Sequence, residues 1–232
     1  MARPLGMWST VATAFKLALA HLDPPQLLLI ANLTSCLVLA LVLTFRGELP
    51  RLARLTRRQW LRAAFAGALN PFLYYSLIFK AYALLPAQEA QAINYTWAIT
   101  LSLLAVPLLG QRLSGRDGLA IFLGYFGVVI IATRGNLTGL TFASPLGVVL
   151  ALVSTVVWAL SWILGARDDR APVVALLSNF LCSLPLSLLA VCLVSDPLPA
   201  SPVGLLAAAY AGTFEMGLAF VSWLSAMVAS ER

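Results

Sequence analysis

The sequence predicts an all-α, polytopic membrane protein of about eight transmembrane helices, arranged as an inverted five-helix repeat whose second copy is incomplete. Three observations predict it. Of 232 residues, 61% are hydrophobic and only 10% are charged, with a mean hydropathy of +0.91; water-soluble domains carry roughly a quarter of their residues as Asp, Glu, Lys or Arg. The apolar residues fall in blocks of about 20, the length that crosses a hydrocarbon core of ~30 Å as a helix. Short stretches also recur at one fixed offset: Ser9-Thr10-Val11 returns as Ser154-Thr155-Val156, 145 residues later.

The spans follow in order. The first, Leu5–His21, begins after Arg3 and ends at the polar turn Asp23-Pro24-Pro25; the second, Leu27–Thr44, runs into an arginine-rich linker. Ala63–Leu85 and Ala87–Leu109 are separated by Pro86, and Gly115-Arg116-Asp117-Gly118 opens the way to the fifth span, Leu119–Thr133. Leu146–Leu164, Pro172–Leu193 and Val203–Val228 complete the set, with Asp196-Pro197 between the last two. The first block also has the marks of a cleavable signal peptide, a basic residue before an apolar run ending Ala18-Leu19-Ala20. Lys16 interrupts that run just before the cleavage pattern, and the repeat gives the block a counterpart, so it is read as a span.

Lys and Arg set the orientation, because positive residues are retained on the cytoplasmic side. Arg3, Arg112, Arg116, Arg167, Arg170 and Arg232 fall on one side with Arg46, Arg51, Arg54, Arg57, Arg58 and Arg62; only Arg134 falls opposite. Both termini are therefore expected in the cytoplasm, and the chain in the cell inner (plasma) membrane.

The repeat has a second match at the same register. Ala63-Ala64-Phe65-Ala66-Gly67 corresponds to Ala208-Ala209-Tyr210-Ala211-Gly212, again 145 residues on. A unit of that length holds five spans, an odd number, so the second copy enters the membrane from the opposite side. Residues 1–135 form the first copy and residues 136–232 a partial second one of three spans. Two whole copies need about 290 residues, so the second is expected to lack about 58, enough for two spans.

Composition also excludes functions. The net charge of +6 arises from linker arginines rather than a basic face interleaved with aromatics, so no nucleic acid partner is expected. One histidine and three cysteines, each inside an apolar block, build no metal site or disulfide framework. No catalytic set and no phosphate loop appear, so neither an enzyme nor a cofactor is expected.

Charge at membrane depth costs at least ~2.5–3.5 kcal/mol, so such residues face a cavity or a partner. Four qualify: Lys16, Lys80, Glu89 and Glu215. Glu215 lies in the middle of the eighth span and reads either as a cavity-facing carboxylate for a substrate ammonium or a proton, or as a protonated acid bonded to a neighbouring helix. Lys16 reads as a partner for a substrate carboxylate or for Glu215, or as a snorkelling side chain. Snorkelling suits Lys80 and a helix N-terminal position suits Glu89. At the repeat offset Asn70 takes the place of Glu215, and Asn70-Pro71 interrupts the third span before Tyr74 and Tyr75. Gln91, Asn94, Tyr95 and Trp97 lie within two turns of the fourth span, and Trp158 and Trp162 stand at i and i+4 on the sixth. Aromatics beside amides and a carboxylate suit an amphipathic organic substrate better than a bare ion.

With Trp8-Ser9-Thr10 opening the first span, and with Leu84-Leu85-Pro86, Gly110-Gln111-Arg112-Leu113 and Thr133-Arg134-Gly135 framing the fourth and fifth, the chain resembles the drug/metabolite transporter superfamily of the EamA type. Asn94-Tyr95-x-Trp97 followed by Gly110-Gln111 is similar to the bacterial aromatic amino acid exporters of that superfamily. Many members have Pro where this chain has Ala98 and Glu where it has Gln111. The resemblance implies ten helices and a central cavity lined by the first, third and fourth helices of each repeat. Trp8, Lys16, Asn70, Tyr75, Gln91, Asn94, Trp97, Trp158, Trp162 and Glu215 are the candidate substrate-binding residues. The expected function is a secondary transporter, an exporter of small amphipathic metabolites such as amino acids working by alternating access. The alternative is a truncated, non-transporting membrane protein or subunit, and a homo-oligomer or a helix-supplying partner both stay open.

Overall fold

The computed structural model describes residues 10–133, 135, 143–196 and 201–223. Trp8, the flanking Arg3, Arg134 and Arg232, and the end of the eighth predicted span lie outside the described residues. Every regular element among the described residues is helical. They are α1 (Val11–Leu19), α2 (Pro24–Phe45), α3 (Leu49–Ala53), α4 (Arg57–Gly67), α5 (Tyr74–Leu84), α6 (Ala87–Asn94), α7 (Trp97–Leu109), α8 (Gly115–Ala132), α9 (Pro145–Gly165), α10 (Pro172–Val194) and α11 (Pro202–Tyr210). A wider, π-helical segment, Ala211–Ala219, continues α11, and Ala68–Leu73 continues α4 across a kink at Asn70.

Helix starts follow local capping chemistry. Asp23 accepts from the Gln26 backbone N–H at 3.0 Å while the Gln26 side chain accepts from the Asp23 N–H at 3.2 Å, a reciprocal box that starts α2. Thr56 with Gln59 and Ser114 with Asp117 do the same for α4 and α8. Ser144 and Ser201 each precede a proline and accept from the N–H of Gly147 and Gly204, so the Ser-Pro-x-Gly pattern starts both α9 and α11.

Among the described residues, five helical stretches are long and apolar enough to cross a membrane: Pro24–Phe45, Ala87–Leu109, Pro145–Gly165, Pro172–Val194 and Pro202–Trp223. Helix fills most of the described part of the other three predicted spans. The first is seen from Val11 to Leu19, the third runs from Arg57 to Leu84 with an interruption, and the fifth is α8. The surface these helices present is oily. Leu37 and Leu41 on α2, Leu61 and Phe65 on α4, and Leu119, Phe122 and Phe126 on α8 are all exposed. Such faces belong against acyl chains rather than water.

Two predicted spans are irregular, the third where Asn70-Pro71 is expected to interrupt it and the fourth where no break is expected. In the third, Asn70 leaves the helical region (φ −145°, ψ 115°) and the Asn70-Pro71 peptide bond is cis. A residue before proline is disfavoured in the α region, and proline has no N–H to continue the ladder. In the fourth, the helix pauses at Tyr95-Thr96, where the Thr96 N–H reaches the Ile93 carbonyl at 3.1 Å and its hydroxyl donates to the same oxygen at 2.7 Å. A threonine hydroxyl competing for a backbone acceptor bends a helix in this way.

By packing, the chain gathers into two compact units: residues up to Phe72 together with those from Asp168 onward, and Leu73–Arg167. Repeat boundaries follow sequence order and compact units follow contacts, so the two divisions describe different properties. In the first unit α10 packs on α2 and α4, while α11 packs on α1 and α2. Asn32 on α2 donates to Ser183 Oγ and, at 3.4 Å, to Ser187 Oγ on α10. Ser35 Oγ lies 2.8 Å from the Gly212 carbonyl. Glycine makes the close approaches. A Cβ on Gly67 would lie within 2.2 Å of the Asn179 carbonyl oxygen, and one on Gly212 within 2.3 Å of that of Ala31. In the second unit α9 packs on α5, α6 and α7, and α6 packs on α8.

Candidate functional site

The densest group of candidate side chains lies in the second unit, where α9 brings its tryptophan stripe against α5 and α7. Trp158 sits one turn before Trp162, so both project from one face of α9. The Trp158 ring meets Tyr74 on α5 with centroids 4.4 Å apart, and Trp97 at the start of α7 at 6.2 Å. Trp97 stacks on Trp162 at 6.3 Å with an interplanar angle of 14°, and Trp158 meets Trp162 edge to face at 6.3 Å. Tyr74 touches Tyr75 at 4.8 Å, and Tyr75 continues to Phe79 at 5.2 Å. Centroid separations of 4.5–7 Å in tilted or edge arrangements are the favourable ones for such rings.

Amides join this aromatic group at one edge. The Tyr74 hydroxyl donates to Asn94 Oδ1 at 3.2 Å, tying the end of α6 to α5. Trp97 follows Asn94 across the pause at Tyr95-Thr96, which sets the amide and the indole on separate short helices. Trp97, Trp162 and Asn94 are half-buried, whereas Tyr74, Tyr75 and Trp158 are buried. The group therefore has a packed inner part and an accessible outer part. Gln91 takes another direction and donates to the hydroxyl of Tyr95 at 3.1 Å. Near this group Thr100 Oγ1 lies 3.0 Å from Thr155 Oγ1 and 3.3 Å from the Tyr125 hydroxyl.

Lys16, Asn70 and Glu215 belong to the first unit. Asn70 and Glu215 are related by the repeat offset, Asn70 standing at the kink in the third span and Glu215 on the π-helical segment Ala211–Ala219. A widened turn of the latter kind is rare and is frequent at functional sites. One carboxylate oxygen of Glu215, Oε2, is buried and has no hydrogen-bond partner among the described residues, and Glu215 makes no ion pair there. The pairing of Lys16 with Glu215 left open by the sequence is thus not formed. Lys16 is half-buried and Lys80 exposed. Glu89 is 3% exposed in the first turn of α6, at the helix N-terminus expected of it.

Of the candidate residues, then, Trp97, Trp158 and Trp162 touch one another, and Tyr75 and Asn94 join them through Tyr74. Gln91 stands apart with Tyr95, and Lys16, Asn70 and Glu215 lie in the other unit; Trp8 is outside the described residues. Tyr74 is the member that the candidate set lacked, although it is the ring that links α5, α6 and α9. Its spacing of one turn from Asn70 was visible, but two adjacent tyrosines point to different sides of a helix and only packing selects between them.

Similarity to known proteins agrees with this architecture. A solved crystal structure superposes with a TM-score of 0.72 over 96% of this chain and 75% of that one, at 23% identity, which speaks for the fold. An uncharacterized transporter of Archaeoglobus fulgidus is 28% identical over 162 residues, covering 69% of this chain and 54% of the relative. The uncharacterized transporter YvbV of Bacillus subtilis is 30% identical over 175 residues, covering 73% of this chain and 55% of the relative. The chain thus matches about half the length of these curated relatives. The pattern of the EamA-like transporter family matches residues 5–133. With that match over more than half of its length, this multi-pass membrane protein belongs to the EamA-like transporter family.

Proposed function

We propose that the chain acts in the inner membrane as a carrier that exports small amphipathic metabolites, amino acids or related compounds, by alternating access. The observation that carries the reading is the aromatic and amide group of Tyr74, Tyr75, Asn94, Trp97, Trp158 and Trp162. Its half-buried indoles offer flat apolar walls, and the Asn94 amide beside them offers hydrogen bonds, a combination that fits a molecule with one apolar and one polar end. Asn70 and Glu215 are proposed as a second polar element of the carrier, with Glu215 exchanging a proton or holding an ammonium group. The excess of arginines on one set of connections supports a cytoplasmic position for both termini.

The inverted repeat supplies the motion. Its support comes from two contacts that correspond: α11 packs on α2 while α4 packs on α10. Under the 145-residue offset each of these pairs maps onto the other. Two like modules inserted with opposite topology can exchange conformations, which reverses the side on which a site opens.

A stabilisation screen of the purified full chain tests the reading. Amino acids, nucleosides and cationic drugs are added in turn and the unfolding midpoint is recorded, because a binder at a hundred times its Kd stabilises by about 2.7 kcal/mol. At least one aromatic or amphipathic compound is expected to raise the midpoint and to change tryptophan fluorescence. A rise that persists unchanged when Asn94→Ala and Trp97→Ala are introduced would remove the assigned site.

A further inference from the structure

Outside the aromatic group, the described residues contain a pocket of about 270 Å³ where the α3–α4 linker meets the start of α10. Arg51, Arg54, Gln59, Asp169 and Arg170 provide its polar lining, with Leu55 and Val174 among its apolar residues. At roughly 30 Å³ per water-sized group the volume holds about nine such groups, the size of a phosphodiester with its glycerol. Arg62 on α4 is tied to the segment before α10, its Nη1 bonding Asp169 Oδ1 at 2.9 Å, so the pocket lies at one end of the helices rather than between their middles.

The charges in this pocket are arranged for an anion. Asp169 is occupied by Arg62, and Arg51 holds Glu48 at 2.8 Å in an exposed pair. Arg54 has no acidic partner among the described residues. Arg170 is the fixed element: its side chain is fully buried, with Nε and Nη2 on the Asp168 carboxylate, Nη2 also on Asn179 at 3.0 Å, and Nη1 on Ser178 at 2.7 Å. A guanidinium has five N–H groups, and these bonds use four of them. With its side chain fully buried, Arg170 contributes charge behind the pocket wall, and the accessible guanidinium groups are those of Arg51 and Arg54. The first turn of α4 adds Arg57 and Arg58 and no acid, so the positive end of its dipole is reinforced rather than offset.

We propose that this pocket binds a phosphate group, which in the membrane is presented by the headgroup of an anionic phospholipid. Arginine forks match phosphate oxygens, and a basic pocket at headgroup depth is where such lipids dock. Leu55 and Val174 give the glycerol end an apolar flank that a bare ion does not need. This site is independent of the transport reading, since it shares no residue with the aromatic group.

The test uses the purified full chain in an uncharged detergent. Phosphatidylglycerol, phosphatidylcholine, glycerol phosphate and inorganic phosphate are titrated while the unfolding midpoint is followed. Phosphatidylglycerol is expected to raise the midpoint, phosphatidylcholine to raise it less, and Arg51→Gln with Arg54→Gln to weaken the phosphatidylglycerol response about tenfold. Arg112→Gln with Arg116→Gln, which removes the same charge elsewhere, is expected to leave the response intact. A response to lipid alone assigns the site to headgroups, and an equal response to the free phosphates assigns it to a soluble phosphate. Equal losses in the two double variants, or no response to any phosphate-bearing probe, overturn the proposal. If the pocket double variant loses its helix signal in circular dichroism, Arg54→Gln alone carries the comparison, with the same two results deciding it.

Discussion

Three glycine substitutions with opposite expected signs test the packing of this chain. Gly212→Ala places a Cβ 2.3 Å from the Ala31 carbonyl oxygen and 2.9 Å from its carbon, and Gly67→Ala places one 2.2 Å from the Asn179 carbonyl oxygen. Both neighbours are backbone, so relief requires helix α2 or α10 to move by about 1 Å before ordinary contact near 3.4 Å is restored. Overpacking of that kind costs ~1–3 kcal/mol. Against it stands the helix propensity of alanine, which favours the substitution by about 1 kcal/mol. With backbone atoms this close the overpacking term falls in the upper part of its range, ~2–3 kcal/mol, and the net expectation is a loss of about 1–2 kcal/mol at each site. Gly127 on α8 is also helical, but its Cβ would meet nothing within 4 Å. There only the propensity term acts, and Gly127→Ala is expected to stabilise by about 0.5–1 kcal/mol. Unfolding in mixed detergent micelles, followed by circular dichroism, measures all three. A Gly212→Ala protein as stable as its parent, or a Gly127→Ala protein that loses as much as the other two, would refute the reasoning.

Other outcomes follow from single contacts. Asn32→Ala removes the donor to Ser183 and Ser187, yet both serines keep bonds to their own helix carbonyls. Only the weak Cys36 thiol donor to Asn32 Oδ1 loses its acceptor, so equilibrium unfolding should show a loss of about 0.6–1.7 kcal/mol, the range for polar contacts between membrane helices. At Asp168, burial pulls the carboxyl upward, but the Arg170 hydrogen bonds and charge, with Arg62 beyond, hold it below the ordinary aspartate value. A depressed carboxyl stabilises the fold above its unfolded pKa and loses that contribution as pH falls through the folded one. The unfolding midpoint should therefore drop on acidification below about pH 4, and Asp168→Asn should flatten that limb while lowering the midpoint at neutral pH. Trp158→Ala deletes the ring that meets Tyr74, Trp97 and Trp162. Calorimetry with a compound that stabilises the parent should show binding at least about tenfold weaker, the scale of a buried aromatic anchor, while Phe126→Ala on the exposed face of α8 leaves it unchanged.

Much of this molecule is written in local chemistry. Blocks of apolar residues in numbers that match a bilayer predict helices, because in hydrocarbon every backbone N–H and C=O must be bonded within its own segment. The starts of those helices are equally local: Ser-Pro-x-Gly before α9 and α11, and Asp23 with Gln26 before α2, need only neighbours three residues away. The break at Asn70-Pro71 was legible for the same reason, since proline restricts the residue before it whatever surrounds them. The pause at Tyr95-Thr96 was not, because a threonine hydroxyl has a choice of acceptors and hydropathy is blind to that choice.

For the candidate site the division is similar. Residue types and spacing drew attention to Trp97, Trp158, Trp162, Asn94 and Glu215, because large rings and amides inside apolar spans are conspicuous against leucine and valine. Which of them meet was decided only when α9 packed on α5 and α7. Tyr74 entered the group through that packing, while Glu215 and Asn70 fell to the other unit. Arg170 shows the contrast most sharply. In the sequence it was one more positive charge counted for orientation; in the fold it is a buried guanidinium held by Asp168, Ser178 and Asn179. Solvent and backbone demands act residue by residue and so can be read from the chain. Which side chains end as neighbours depends on helix faces chosen jointly by all the helices, and that choice exists only in three dimensions.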